Sequence, residues 1–254
     1  MRLGQNVGHG SDVGRVRPLN EDYHRVLQFP LPGGSLTLLA VADGMGGAAA
    51  GEVASKLAME VLDQSFGRYA GELEQGKQMV GIERLTEKAI RLANRRVYAE
   101  ASRDSGRRGM GTTLTLAAIH NDNAVLGHVG DSRGYLVRDK RIYQLTKDHS
   151  WVEEQRRRGL LTDAEAQTHE WRNLITRALG TRPEVEPDII PLAVRSGDVL
   201  ALCSDGLHGQ VETGEILAEI SRTSNRQSSV EYLIALANQR GGPDNITLVI
   251  AEVP

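Results

Sequence analysis

The chain has a single cysteine, Cys203, so no disulfide can close within it, and a reducing compartment, the cytoplasm, is the expected setting. It has no surplus of positive charge. The 254 residues carry a formal net charge of −3, which removes any general pull toward nucleic acid or anionic lipid. The opening stretch MRLGQNVGHGSDVG has no apolar h-region, so no secretory signal is expected. No apolar run approaches the ~20 residues that a membrane helix needs. The close, AEVP, follows a strand-like run with no tail, so no anchor is expected either. Internal repeats and low-complexity linkers are also missing. What remains is a globular composition, 40% hydrophobic and 25% charged, and the expectation of one self-contained domain over 1–254 acting as a monomer.

Local patterns divide the chain. Residues 35–42, SLTLLAVA, form a continuous apolar run between Gly33-Gly34 and Gly44, which predicts a buried strand. Val53, Leu57, Val61 and Leu62 share one face of a predicted helix over 50–65. Ile82, Leu85, Ala89, Leu92, Ala93 and Val97 form the stripe of a second over about 82–102. The period then changes to two. TTLTLAAIH, AVLGHVGD, GYLVRD and RIYQLT, separated by turn residues, predict an antiparallel meander. Residues 146–176 are polar and arginine-rich, with weak helical pattern around 150–158 and 162–168. Strands near 185–190 and 198–203, a helix over 229–239 and a last strand in NITLVIAEV complete the reading. Many strands, few helices and no βαβα alternation predict an α+β layered fold.

Acids recur at strand ends. Asp43 closes LLAVAD before Gly44, Asp131 closes LGHVGD, Asp205 follows VLALCS before Gly206, and Asp244 sits in GGPDN just before the last strand. Glu21-Asp22 lies in RVRPLNED. Aspartate is common in turns, where its side chain bonds the local backbone. Repeated placement at the ends of core strands points further. Gathered carboxylates repel unless a cation sits among them, and oxygen-only ligands select hard ions such as Mg²⁺ or Mn²⁺. No His/Cys spacing suggests zinc. Gly44 lets a backbone carbonyl approach a metal, and Arg17 is a candidate phosphate ligand through its forked guanidinium.

RVRPLNED, VADGMGG, GMGTTLT, HVGDSRGYL, TKDHS, RNLITRALG, CSDGL and GGPDNITLVI occur in that order from about residue 5 to 252. Together they resemble the metal-dependent type 2C Ser/Thr protein phosphatases, most closely the bacterial branch. The resemblance implies a β-sandwich of two antiparallel sheets flanked by helices on both faces. It implies that Asp43 bridges two ions, that Gly44 supplies a carbonyl, that Asp205 and Asp244 complete the first ion, and that Glu21 holds water on the second. Asp22 is similar to an acid behind these ligands, and Arg17 to the arginine that grips substrate phosphate. A third, weaker ion would use Asp131 and Asp205.

The mechanism implied is attack on phosphorus by a hydroxide bridging two Mn²⁺ or Mg²⁺ ions, with no phosphoenzyme. Cys203 then reads as a small core residue. Eukaryotic relatives have a histidine where this chain has Met45, which leaves the proton donor open; a water on the ion held by Asp131 is one candidate.

The implied substrates are phosphorylated proteins, with a bacterial Ser/Thr kinase as the counterpart. Hydrolysis of a small phosphorylated metabolite and a non-catalytic binding module are the other readings. The stretch 146–176 resembles a flap. His149 and His169 within it read either as solvated or locally bonded, or as groups at the substrate entrance, and Arg156-Arg157-Arg158 reads as a solvated helix face.

Overall fold

The computed structural model describes residues 6–31, 33–46, 50–77 and 80–254. Residues 1–5 and Gly47 of VADGMGG therefore lie outside the described residues. Two antiparallel sheets stack on each other. The first runs in the order β1 (Val7–Asp12), β11 (Ile246–Glu252), β10 (Val199–Cys203), β7 (Arg133–Arg138) and β8 (Arg141–Gln144). The second runs β2 (Asp22–Leu31), β3 (Gly34–Met45), β5 (Leu114–His120), β6 (Asn123–Val129) and β9 (Asp188–Ala193), and the short β4 (Gly111–Thr112) pairs with the end of β3.

The sequence of β3 explains the layering. Leu39 and Val41 point inward and meet Leu126, Leu202 and Val249 between the sheets. Leu36, Leu38 and Ala40 point outward and meet Met59, Leu62, Phe66 and Ile90 from α1 (Ala50–Glu74) and α2 (Ile82–Arg103). A strand covered on both faces reads as a continuous apolar run, because neither side of its period-two pattern is left to solvent. The outer face of the first sheet is covered in the same way. Ile216 and Ile220 of α6 (Thr213–Arg222), with Val230 and Leu233 of α7 (Arg226–Gln239), pack on Tyr135, Ala201 and Leu248. Helices therefore lie on both faces of an α+β sandwich. No described helix is long and apolar enough to cross a membrane.

Several expectations need correction. The predicted four-strand meander is split: β5 and β6 belong to one sheet, β7 and β8 to the other. The chain changes sheets at Gly130, whose φ of +115° suits glycine, and a Cβ there would stand 2.5 Å from Cβ of Thr113. The first helix runs to Glu74 rather than 65, because Phe66 and Tyr69 are buried on the second sheet. Leu92, placed on the buried stripe of α2, is 45% exposed. The strand expected near 185–190 is β9, starting at Asp188. Strands β1 and β2 and helix α6 were not foreseen.

One buried polar contact makes a pH prediction. The His128 ring is fully buried; its Nδ1 accepts from the Thr115 hydroxyl (2.9 Å), and its Nε2–H donates to the Lys147 carbonyl (3.1 Å). Burial pushes its pKa down from 6.5 to about 4. As pH falls from 6.5 toward 4 the unfolded chain takes up a proton at this ring and the folded chain does not, so stability is lost across that window. His128→Gln removes that proton uptake. In chemical denaturation its stability should decline less steeply between pH 6.5 and 4, by up to roughly 1.4 kcal/mol per pH unit. Parallel slopes for the two proteins would contradict this assignment.

Candidate metal centre

Antiparallel pairing sends the acids to one end of the sandwich. Asp43 lies at the C-terminal end of β3 and pairs in register with Asp22 at the start of β2. β5 begins beside that end of β3, so β6, its antiparallel neighbour, finishes there and is followed by Asp131. In the other sheet β10 ends where β11 begins, with Cys203 opposite Leu248, which brings Asp205 next to Asp244.

The backbone around Asp43 is tightly held. Its N–H donates to Thr113 Oγ1 (2.9 Å), and its carbonyl accepts from the Thr113 N–H (2.8 Å) and the Thr112 hydroxyl (3.0 Å). The Gly44 N–H donates to the Glu21 carbonyl (3.2 Å), which also accepts from the Ser55 hydroxyl (2.6 Å). A Cβ on Gly44 would fall 2.2 Å from the Gly51 carbonyl oxygen and 2.5 Å from that of Glu21, so no other residue fits. The Glu21 carboxylate accepts from the Gly51 N–H (3.1 Å) in the first turn of α1, where helix polarity favours an anion.

The Arg17 guanidinium donates to Asp244 Oδ2 at 2.8 Å, and its charge also acts on Asp205 and Asp43. It stands among the acids as expected, but it is engaged by one of the proposed ligands. Asp22 lies deepest, with Oδ2 accepting from the Ser204 hydroxyl (2.8 Å).

The electrostatics are those of anions crowded in a dry place. Burial, then the charges of Asp205 and Asp244, push the Asp22 carboxyl up to about 7 against the stabilising bonds from hydroxyls. Burial, then Asp205 and Asp148, push Asp131 up to about 8. Burial and the surrounding carboxylates hold Asp43 well above its ordinary range, and burial followed by Asp244 raises Asp205. Among the described residues, Oδ1 of Asp22, of Asp131 and of Asp205 is buried without a hydrogen-bond partner. Orphaned anionic oxygens and an all-oxygen donor set fit hard divalent cations.

The arrangement is open rather than a closed cage. No three His, Cys, Asp or Glu side chains among the described residues form a ready ligand group. Hollows of about 760 Å³ beside the start of α2 and about 440 Å³ along 176–186 are lined by none of these acids.

The expected flap holds two short helices, α3 (Trp151–Arg157) and α4 (Asp163–Thr168), capped by Ser150 and by a Thr162–Glu165 capping box. Of its histidines, His169 is bonded locally and His149 is bonded to distant parts of the chain. His149 is buried at the base, with Nδ1 accepting from the Gly130 N–H (3.0 Å). His169 forms a three-ring cluster with Trp151 and Trp171, which also touch each other, and its Nδ1 accepts from the Trp171 N–H (3.1 Å). The structure gives neither ring a bond to the acids. Arg156 is committed to Glu153 and Asp163.

Sequence reasoning missed the residues that hold the acids in place. Asn245 accepts from the Glu21 N–H (2.8 Å) and donates to the Val13 and Leu19 carbonyls (2.9 Å each), pinning the loop that carries Arg17. Ser204, Thr112, Thr113 and Ser55 were equally unmarked. Ser204 and Asn245 carry one visible signal, a polar residue beside an acid at the edge of an apolar run, and Thr112, Thr113 and Ser55 carry none.

Residues 15–240 match the family described as protein phosphatase 2C. The serine/threonine protein phosphatase PstP of Mycobacterium tuberculosis is 40% identical over 243 residues, 96% of this chain and 44% of that protein, so the chain spans less than half of that relative's length. The serine/threonine phosphatase stp of Listeria innocua is 35% identical over 242 residues, 95% of this chain and 93% of that protein. A crystal structure of the PstP catalytic domain in complex with two manganese ions superposes with a TM-score of 0.81 at 38% identity, covering 97% of this chain and 96% of that one.

Crowded carboxylates predict an inverse response to substitution. Without metal at pH 8, Asp43→Asn should raise the melting temperature by several degrees, because it relieves a buried charge, roughly 1–2 kcal/mol. Added Mn²⁺ should stabilise the wild type and leave the variant nearly unmoved. A metal-free variant that melts below the wild type would contradict this reading of the site.

Proposed function

The chain belongs to the protein phosphatase 2C family, and on that footing we propose that it hydrolyses phosphoserine and phosphothreonine in proteins, opposing a bacterial Ser/Thr kinase. The observation that carries this reading is the cluster of buried, mutually repelling carboxylates with orphaned oxygens beside Arg17. Support also comes from the two manganese ions of the PstP structure and from the phosphatase names of the bacterial relatives.

In this reading Asp43, Gly44, Asp205, Asp244 and Glu21 hold two Mn²⁺ or Mg²⁺ ions, and Asp131 with Asp205 holds a third, weaker one. Bound divalent cations supply an acidified water and neutralise charge on the transferring phosphoryl group.

The chain's own residues do the rest. Arg17 carries charged N–H donors that suit two phosphate oxygens at once, and half of its side chain is open to solvent, so an arriving phosphate competes with Asp244 for it. Asp22, bonded to Ser204 behind the other acids, sets the negative field without reaching the opening. Thr112 and Thr113 fix the Asp43 backbone, so its carboxylate cannot retreat from its neighbours. Cys203 is buried and its thiol is pushed up to about 12, which keeps it protonated and removes it as a nucleophile. Met45, next to Gly44, has no proton to give.

The test is hydrolysis of an aryl phosphate and of matched phosphothreonine and phosphotyrosine peptides with Mn²⁺, before and after EDTA. Metal-dependent release with preference for phosphothreonine is expected. Asp205→Asn should lose at least about 100-fold in kcat/KM while keeping its fold by circular dichroism. Release that survives EDTA, or full activity in the variant, would overturn the proposal.

A further inference from the structure

The stretch 146–176 leaves the sandwich and rejoins it beside Asp131, and one residue touches both of its ends. The His149 N–H donates to the Gly130 carbonyl (2.7 Å), and the Gly130 N–H donates back to His149 Nδ1 (3.0 Å). The Thr176 N–H donates to the His149 carbonyl (2.8 Å), and the Trp151 N–H donates to the Leu174 carbonyl (2.8 Å), so the outgoing and returning chains are zipped together there.

The ring is equally committed. Nδ1 accepts from an amide, and Nε2 faces both the Arg177 guanidinium at 3.0 Å and Asp188 Oδ2 at 3.3 Å. Arg177 binds the other oxygen of Asp188 at 2.9 Å. The ring also stacks on His128, with centroids 4.8 Å apart. At 6% exposure His149 cannot meet a substrate. What it holds is Gly130, the residue before Asp131, at the point where the chain squeezes past Thr113.

Resting on the metal-centre reading above, we propose that His149 is a positioning residue: it ties both ends of the flap to the Gly130–Asp131 turn, so that the flap's seat and the carboxylate of the third, weaker cation are set together. The part that matters is the Nδ1 acceptor. Removing the group that orients a ligand typically costs ten- to a hundredfold in metal affinity, and here the orientation is transmitted through one backbone amide.

Two conservative replacements separate this role from simple packing. Asparagine places a carbonyl oxygen near Nδ1 and keeps an acceptor for the Gly130 amide. Glutamine reaches toward the Nε2 position and leaves that amide without one. Mn²⁺ titration calorimetry and amide hydrogen exchange are measured on wild type, His149→Asn and His149→Gln.

His149→Gln should bind the weakest ion about tenfold less tightly, with the two tighter ions unchanged. Its Gly130 and Thr176 amides should exchange faster. His149→Asn should stay within about threefold of wild type. Equal weak-ion affinity in the two variants, or loss of all ions alike, overturns the proposal. So does a glutamine variant whose Gly130 and Thr176 amides stay protected. A wild type that takes up only two ions overturns the third-cation reading itself, and a wild type that takes up none overturns the metal centre, so each failure is told apart from the others.

Discussion

Gathering carboxylates at one dry end of a sandwich is the constraint from which the other features follow. Asp22, Asp43, Asp131 and Asp205 each pay for burial and for one another's charge, and they stay because the backbone beneath them cannot relax. Thr112 and Thr113 clamp Asp43, Ser204 clamps Asp22, and Asn245 fastens the loop that brings Arg17 across. Folding therefore brings the carboxylates to one end of the sandwich before any ion arrives, although no three of them stand as a ready ligand group among the described residues.

Where local chemistry decides, the sequence was readable. β3 was legible because both of its faces are buried and Leu38–Ala42 runs unbroken up to Asp43. The acids were legible because each stands at one edge of a strand, Asp43, Asp131 and Asp205 near or after its end and Asp22 and Asp244 at or before its start. The helix α1 was read short because its apolar stripe was followed only as far as Leu62, and Gly67 and Gly71 lie beyond it. Burial of Phe66 and Tyr69 against the second sheet outweighs the roughly 1 kcal/mol that each glycine costs a helix.

The supporting polar shell was not readable in the same way. Asn245 finds Glu21, Val13 and Leu19 only after the first and last strands have paired, and nothing within a window of neighbours announces those partners. His149 shows the same limit. It stands in a polar, arginine-rich stretch that reads as surface, yet the fold closes over it, because Gly130 and Asp188 approach from two different strands of the second sheet. The split meander has a similar cause, since local alternation does not report which sheet a hairpin joins.

The contact between Arg17 and Asp244 joins residues 227 positions apart, and Ser204 reaches Asp22 across 182. No fragment of the chain contains this centre, because its contacts close loops over nearly the whole length. A cation that favours it acts on the finished structure more than on the route to it. A bound ion that is absent from the folding transition state slows unfolding at nearly unchanged folding rate, so its supply would set how long each folded copy lasts.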